Sequence, residues 1–94
     1  MKLSVIIPVF NEAETLLELV ERVRQLPLEK ELLMVDDSSS DGSGEILSRL
    51  ASDADTIVLT HTVNRGKGKA IATALRVASG DVVVIQDADL EYDP

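Results

Sequence analysis

Cysteine and tryptophan are absent from this sequence, and Phe10 and Tyr92 are its only aromatic residues. The lack of cysteine excludes disulfides, zinc–thiolate centres and a cysteine nucleophile, and leaves the redox compartment open. With so few aromatics, the core has to be aliphatic. Basic residues are scarce as well: 9 Lys and Arg face 17 Asp and Glu, for a net charge of −8. That balance disfavours nonspecific binding to nucleic acid or anionic lipid, so no nucleic-acid partner is expected. A phosphate ligand stays compatible, because a bound divalent cation inverts the local field. Long hydrophobic runs are missing too. The apolar-rich N-terminal stretch ends at Asn11-Glu12, too short for a bilayer span, and no signal-peptide cleavage pattern follows it. A cytoplasmic location is the resulting expectation.

What is present is 45% apolar content over 94 residues, enough for one folded domain with one core. Leu3 to Phe10 reads as a buried strand, apart from Ser4 and Pro8. Leu16, Leu17, Val20, Val23 and Leu26 then recur at helical spacing until Pro27. Leu32 to Val35 is a second apolar run, Ile46, Leu47 and Leu50 mark a short helix, and Thr56 to Thr60 is a third strand. Ile71, Ala74, Leu75 and Ala78 predict the inner face of a third helix that stops at a C-cap, Gly80. Asp81 to Gln86 reads as a fourth strand, also buried.

Strands alternating with amphipathic helices imply an α/β fold with a parallel sheet and helices on both faces. Ligands in such sheets bind beyond the carboxyl ends of the strands. Each strand here empties into polar residues at that edge: Asn11-Glu12, Asp36-Asp37, His61 to Asn64, and Asp87-Ala88-Asp89. With no helix following the fourth strand, the outermost strand is expected to present an open edge. Pairing with another copy, or truncation of a longer protein after the fourth strand, is expected from that.

The acidic cluster Asp87-Ala88-Asp89-Leu90-Glu91 carries the sharpest chemistry. Carboxylates this close repel unless a cation or protons sit among them. Hard oxygen ligands suit Mg²⁺ or Mn²⁺, and Mg²⁺ is commonly held by one or two carboxylates together with substrate phosphates. Asp36-Asp37 ahead of Ser38-Ser39-Ser40-Asp41-Gly42 offers an acid for a nucleobase or ribose hydroxyl, with Ser40 or Asp41 as an N-cap for the second helix. Asn11-Glu12-Ala13-Glu14 resembles a capping box. Pro8, lacking an amide, is out of place in a central strand and is read as a cleft wall. Asn64-Arg65-Gly66-Lys67-Gly68-Lys69 opens the third helix with two glycines and three cations. It reads either as a phosphate cradle that includes Lys67 or as a solvated turn. His61 has no metal-ligand partner at useful spacing and is read as structural.

Ser4-Val5-Ile6-Ile7-Pro8-Val9-Phe10-Asn11-Glu12, Val35-Asp36-Asp37-Ser38-Ser39-Ser40-Asp41-Gly42, Asn64-Arg65-Gly66-Lys67-Gly68 and Ala78-Ser79-Gly80-Asp81 through Asp87-Ala88-Asp89-Leu90 occur in order along the chain. Together they resemble the N-terminal half of family 2 glycosyltransferases, nearest to dolichol- or polyprenyl-phosphate mannose or glucose synthases. The resemblance implies a three-layer Rossmann-like (GT-A) sheet, residues 1–94 forming its nucleotide-sugar-binding part without the acceptor-binding half. It also implies inverting, metal-assisted transfer from a GDP- or UDP-sugar to an acceptor such as a polyprenyl phosphate, with membrane association of the full-length protein. By position, Pro8, Asn11 and Glu12 would line the nucleotide pocket, and Asp37 would face the base with Asp36 beside it. Asp87 and Asp89 would hold Mg²⁺ or Mn²⁺, and Glu91 stands where the nearest subgroup often has Gln. The family's catalytic base lies in its C-terminal half, so this chain alone is expected not to turn over. A noncatalytic nucleotide-binding or self-associating α/β fragment is the rival reading.

Overall fold

The computed structural model of the chain describes residues 1–87. In chain order the elements are β1 (Lys2–Val9), α1 (Ala13–Arg24), β2 (Glu29–Asp36), α2 (Ser43–Leu50), β3 (Thr56–Thr60), α3 (Lys67–Leu75) and β4 (Val82–Ile85). The strands form one sheet in the order β3-β2-β1-β4, every neighbouring pair parallel. The chain thus winds outward from β1 through β2 to β3, then crosses back to add β4 on the other side. The point of reversal lies between β1 and β4, where open parallel sheets leave a crevice.

Two apolar layers explain why the strands read as near-continuous hydrophobic runs. On one face Leu3, Val5, Ile7 and Val9 of β1 and Leu32 and Met34 of β2 pack with Leu16, Leu19, Val20 and Val23 of α1 and Leu47 and Leu50 of α2. On the other face Ile6, Leu33 and Val35 meet Ala70 and Ala74 of α3. The period-2 alternation of each strand feeds both layers, so β1 and β2 have no polar face. The three-layer arrangement expected from the sequence is observed.

β4 departs from expectation. Val82, Val83, Val84 and Ile85 are 39–48% exposed, although the run reads as a buried strand. Position is the reason: β4 is an edge strand and, among the described residues, pairs only with Leu3–Ile6 of β1. The third helix is also shorter than its apolar spacing suggests, ending at Leu75 with Arg76 as C-cap. Leu75 is 50% exposed, so the inner face is made by buried Ala70 and Ala74 with Ile71 packed beside them, and the small alanines let α3 approach the sheet closely. Leu26 likewise lies beyond α1 and is exposed.

Gly80 does not cap a helix. A Cβ there would lie 2.6 Å from Ser4 Oγ and 2.8 Å from the Lys2 carbonyl, so the glycine permits the α3–β4 connection to press against β1. Beneath it lies a network that periodicity does not reveal. Glu31, buried at the amino end of β2, accepts hydrogen bonds from Ser4 Oγ (2.6 Å), the Ser79 amide (2.6 Å) and Ser79 Oγ (2.9 Å). Lys2 Nζ stands 3.4 Å from the same carboxylate. Burial alone would raise the Glu31 pKa, but these hydrogen bonds and the Lys2 charge together lower it from 4.5 to about 2. The Gly80 amide donates to Ser4 Oγ, the Asp81 amide donates to the Lys2 carbonyl, and the Lys2 amide donates to the Asp81 carboxylate, completing the anchor of β4.

The conflict at Pro8 resolves through strand parity. The carbonyls of Lys2 and Ile6 accept from Asp81 and Gln86, so even-numbered residues of β1 direct their backbone bonds towards β4. Pro8 shares that parity and lies past the last paired residue, Ile6 with Ile85. Its missing amide donor removes no bond from the ladder.

Candidate functional site

The carboxyl ends of β1, β2 and β4 surround a pocket of about 220 Å³ at the reversal point of the sheet. Pro8, Val9, Phe10 and Glu12 line it from the β1 end, Asp37 from β2, Lys67 and Ala70 from α3, and Asp87 from the end of β4. Of the residues singled out in the sequence, Pro8, Glu12, Asp37, Lys67 and Asp87 therefore converge on one cavity. Asn11 and Asp36 do not line it. Asp89 and Glu91 lie outside the described residues.

Local backbone geometry explains how two strand ends form this wall. Asn11 (φ 54°) and Ser38 (φ 68°) both adopt the left-handed conformation just after β1 and β2. Such backbone persists where neighbours over-determine it. Here Asn11 donates its amide to Ser39 Oγ (3.0 Å) and accepts from the Ser40 amide through Oδ1 (2.8 Å). Asp36, buried, accepts from the Ser39 amide at 2.9 Å, which turns its carboxylate into the loop and away from the cavity.

The capping box expected at Asn11–Glu14 is not formed. Glu12 is the N-cap of α1 and makes no side-chain cap hydrogen bond. The first amide of α1, on Ala13, instead donates to Asp41 Oδ2 at 3.0 Å, from the loop after β2. Asp41 Oδ1 also accepts from the Ser43 amide (3.0 Å) and Ser43 Oγ (2.7 Å), and the Glu12 amide donates to Ser43 Oγ (3.1 Å). Gly42 (φ 100°), not Ser40 or Asp41, is the N-cap of α2, which has no side-chain cap hydrogen bond; from the preceding position the Asp41 carboxylate nonetheless serves the first amides of both α1 and α2. Burial would raise its pKa, yet the Ser43 and Ala13 donors hold it below the usual value. Cross-strand capping of this kind has no signature in local sequence spacing.

Asp37 is the hub of the site. It is 4% exposed, and its Oδ1 accepts from the Arg65 amide (2.8 Å) while its Oδ2 accepts from the Gly66 amide (2.8 Å). His61 Nδ1 lies 2.9 Å from Oδ1, and His61 Nε2 lies 2.8 Å from Thr73 Oγ1. Burial would raise the Asp37 pKa, but the Arg65 amide, His61 and the Gly66 amide hold it below the ordinary value. The structural role read for His61 is thereby seen: it ties β3 to Asp37 and α3.

The phosphate-cradle reading of Asn64–Lys69 needs correction for the same reason. The Arg65 and Gly66 amides that would face a phosphate are held by Asp37. Gly66 (φ 91°) is the N-cap of α3, a conformation open to glycine at little cost. Of the three cations, Lys67 alone lines the cavity, and its ammonium pairs with the Asp87 carboxylate. Arg65 and Lys69 face a different recess.

A metal requires hard oxygen donors. Asp87, with its side chain 55% exposed, presents one carboxylate to the cavity, and the Lys67 ammonium already stands against it as a cation. Among the described residues no group of three or more His, Cys, Asp or Glu is arranged to hold a metal ion. One carboxylate on an open rim fits a cation that takes its remaining ligands from phosphate and water. Val9, Phe10 and Ala70 are lining residues that sequence reasoning missed, and of these Phe10 is 46% exposed. The signal was available, since an exposed aromatic at a strand end stands out in a chain with two aromatics. Among the described residues no helix is long and apolar enough to cross a membrane.

Comparison with known proteins gives this geometry a context. The family model for glycosyl transferase family 2 matches residues 4–94. An undecaprenyl-phosphate 4-deoxy-4-formamido-L-arabinose transferase of Proteus mirabilis is 43% identical over 99 aligned positions, covering 99% of this chain and 30% of the relative. The chain therefore spans under a third of the length of the curated relatives it matches. A mannosyltransferase from Pyrobaculum calidifontis, solved with GDP-Man and Mn²⁺, superposes with a TM-score of 0.85 at 35% identity, over 93% of this chain and 27% of that one. TarS 1–349 of S. aureus, solved with UDP-GlcNAc, gives 0.86 at 31% identity, over 95% and 27%.

Proposed function

The chain belongs to glycosyl transferase family 2, and from that premise we propose that its cavity is the donor site of a nucleotide-sugar-dependent glycosyltransferase. The reaction is inverting, metal-assisted transfer from a GDP- or UDP-linked sugar, with a polyprenyl phosphate as acceptor. The single observation that carries the reading is the convergence of Pro8, Phe10, Glu12, Asp37, Lys67 and Asp87 on one cavity at the reversal point of a GT-A-type sheet. Relatives that act on undecaprenyl phosphate, and neighbours solved with UDP-GlcNAc and with GDP-Man and Mn²⁺, support the chemistry assigned to it.

Within the site, each residue has a task set by its surroundings. Phe10 offers an exposed ring face on which a base stacks. Asp37 has about four acceptor positions and commits three to Arg65, Gly66 and His61. The remaining one is left for a donor on the base, and Asn11 and Asp36 act behind it by fixing the loop. Lys67 supplies positive charge for the diphosphate, moving from Asp87 to phosphate as the donor enters. Asp87, together with Asp89 and Glu91, is the metal-side acid group for Mg²⁺ or Mn²⁺. When bound, such a cation neutralises charge that builds on the departing nucleoside diphosphate.

Isothermal titration with GDP and UDP, with and without Mn²⁺, tests the assignment on wild type and Asp87→Ala. Manganese-dependent binding that falls by at least about tenfold in the variant is expected. Nucleotide binding that is indifferent both to manganese and to Asp87 sinks the donor-site reading.

A second reading rests on β4. Its exposed apolar residues and an outer edge without a partner among the described residues favour homo-oligomerisation by strand pairing. Sedimentation that shows only monomer at high concentration rejects it.

A further inference from the structure

The nine Lys and Arg of this acidic chain are not evenly used. Lys2, Arg22, Arg24 and Lys67 are ion-paired. Among the described residues Lys30, Arg49, Arg65, Lys69 and Arg76 have no carboxylate within ion-pair distance; Lys30 donates instead to the Leu26 and Leu28 carbonyls and Arg49 stands apart on α2, while Arg65, Lys69 and Arg76 are all exposed. These three line a single recess of about 350 Å³, whose other walls are His61, Ala72 and Thr73. Lys69 and Thr73 of α3 and its C-cap, Arg76, which keeps helical backbone, stand at i, i+4 and i+7, hence on one stripe, and the small Ala72 beside them leaves the space open. Three unpaired cations converging on one concavity repel each other and stand out in a chain of net charge −8. An anion there relieves the repulsion.

We propose that this recess is a second anion site, shaped for a phosphoryl group and separated from the donor cavity by the 61–66 loop. Two guanidinium forks and an ammonium match the several oxygens of a tetrahedral phosphoryl group better than a single carboxylate. The floor is polar and fixed: Thr73 Oγ1 is 2.8 Å from His61 Nε2, and His61 is held by Asp37. The Arg65 backbone is fastened to the same Asp37, so the wall is in place before any ligand arrives. That pre-organisation lowers the ordering cost of binding. The shared chemistry has two sources, a free phosphate compound or the phosphate headgroup of a lipid.

Inorganic phosphate, followed through the backbone amide shifts of the chain, is the probe. Saturable shifts at Arg65, Lys69, Ala72 and Thr73 are expected. The double variant Lys69→Glu/Arg76→Glu changes only exposed side chains, so it should stay folded while weakening phosphate at least about tenfold. Lys67→Ala, which touches the donor cavity instead, should leave that affinity unchanged. Absence of saturable shifts, or a loss in Lys67→Ala with none in the double variant, overturns the proposal and places the phosphate in the donor cavity or nowhere. Cosedimentation with phosphatidylglycerol vesicles, displaced by inorganic phosphate, assigns the lipid source. Phosphate binding without cosedimentation assigns the free one. Cosedimentation that neither phosphate nor the double variant reduces overturns the recess as a discrete site.

Discussion

Replacing Glu31 by Gln should destabilise the fold at neutral pH and leave it nearly unaffected in acid. The carboxylate is buried at the amino end of β2 and receives Ser4 Oγ, the Ser79 amide and Ser79 Oγ at 2.6–2.9 Å, with Lys2 Nζ at 3.4 Å. Lowering its pKa from 4.5 to about 2 corresponds to at most about 3 kcal/mol. Lys2 is partly exposed and its attraction is screened, so about 2 kcal/mol is expected in practice. The folded-state pKa is depressed, which sets the sign. This stabilisation is complete above pH 4.5 and is lost as pH falls towards about 2. Urea unfolding of wild type and Glu31→Gln across that range isolates the contribution, because other carboxylates titrate in both. The difference should be about 2 kcal/mol at pH 7 and should vanish as pH nears about 2. A difference below about 0.5 kcal/mol at pH 7, the size of an ordinary surface change, refutes the reasoning. So does a difference that does not move with pH. The consequence reaches the site, since Ser79 and Gly80 lead directly into β4, which carries Asp87 at its far end.

Further outcomes follow from the same contacts. Gly80→Ala forces a Cβ to within 2.6 Å of Ser4 Oγ and 2.8 Å of the Lys2 carbonyl, and should cost about 3 kcal/mol or more, read as a fall in thermal midpoint. Asp41→Ala removes the acceptor for the first amides of both α1 and α2 and should cost about 2 kcal/mol in urea unfolding, more than a single cap. Asp37→Ala should abolish hydrogen-exchange protection at the Arg65 and Gly66 amides while β1 and β2 stay protected; retained protection there would show that the loop does not depend on Asp37. Lys67→Ala should weaken nucleoside diphosphate about tenfold and nucleoside much less, measured by titration, because its charge is assigned to the phosphates.

The layered architecture was legible because Val5–Ile7 of β1 and Leu32–Val35 of β2 are unbroken apolar runs that feed both faces of the sheet, set between amphipathic helices. Ile71, Ala74 and, past the helix end, Ala78 likewise fell on the inner side of α3, whereas Leu75 did not and Ala70 was not anticipated. β4 was misjudged as buried for an instructive reason: Val82–Ile85 has the composition of an interior strand, and composition does not say where in the strand order a segment falls. The polar strand ends located the site edge, and five of the named residues meet in one cavity. What local spacing did not show was long-range hydrogen bonding. Asp41 reaches back 28 residues to cap α1, Asp37 reaches forward 28 residues to Arg65, and Glu31 reaches 48 to Ser79. Each is an acidic residue in β2 or the loop after it, and its partner is fixed only when the sheet has assembled. The phosphate-cradle alternative at Asn64–Lys69 loses two donors for this cause, since the Arg65 and Gly66 amides face an internal carboxylate.

The central claim is that the cavity between β1 and β4 receives a metal-bound nucleoside diphosphate. Paramagnetic broadening by substoichiometric Mn²⁺ tests it most directly, recorded on the amide spectrum of the chain with GDP or UDP present. The account predicts broadening centred on Gln86, Asp87, Val9, Phe10 and Lys67, dependent on nucleotide and lost in Asp87→Ala. Broadening centred on another acidic stretch, such as Asp53–Asp55, or unaltered by nucleotide, would contradict it.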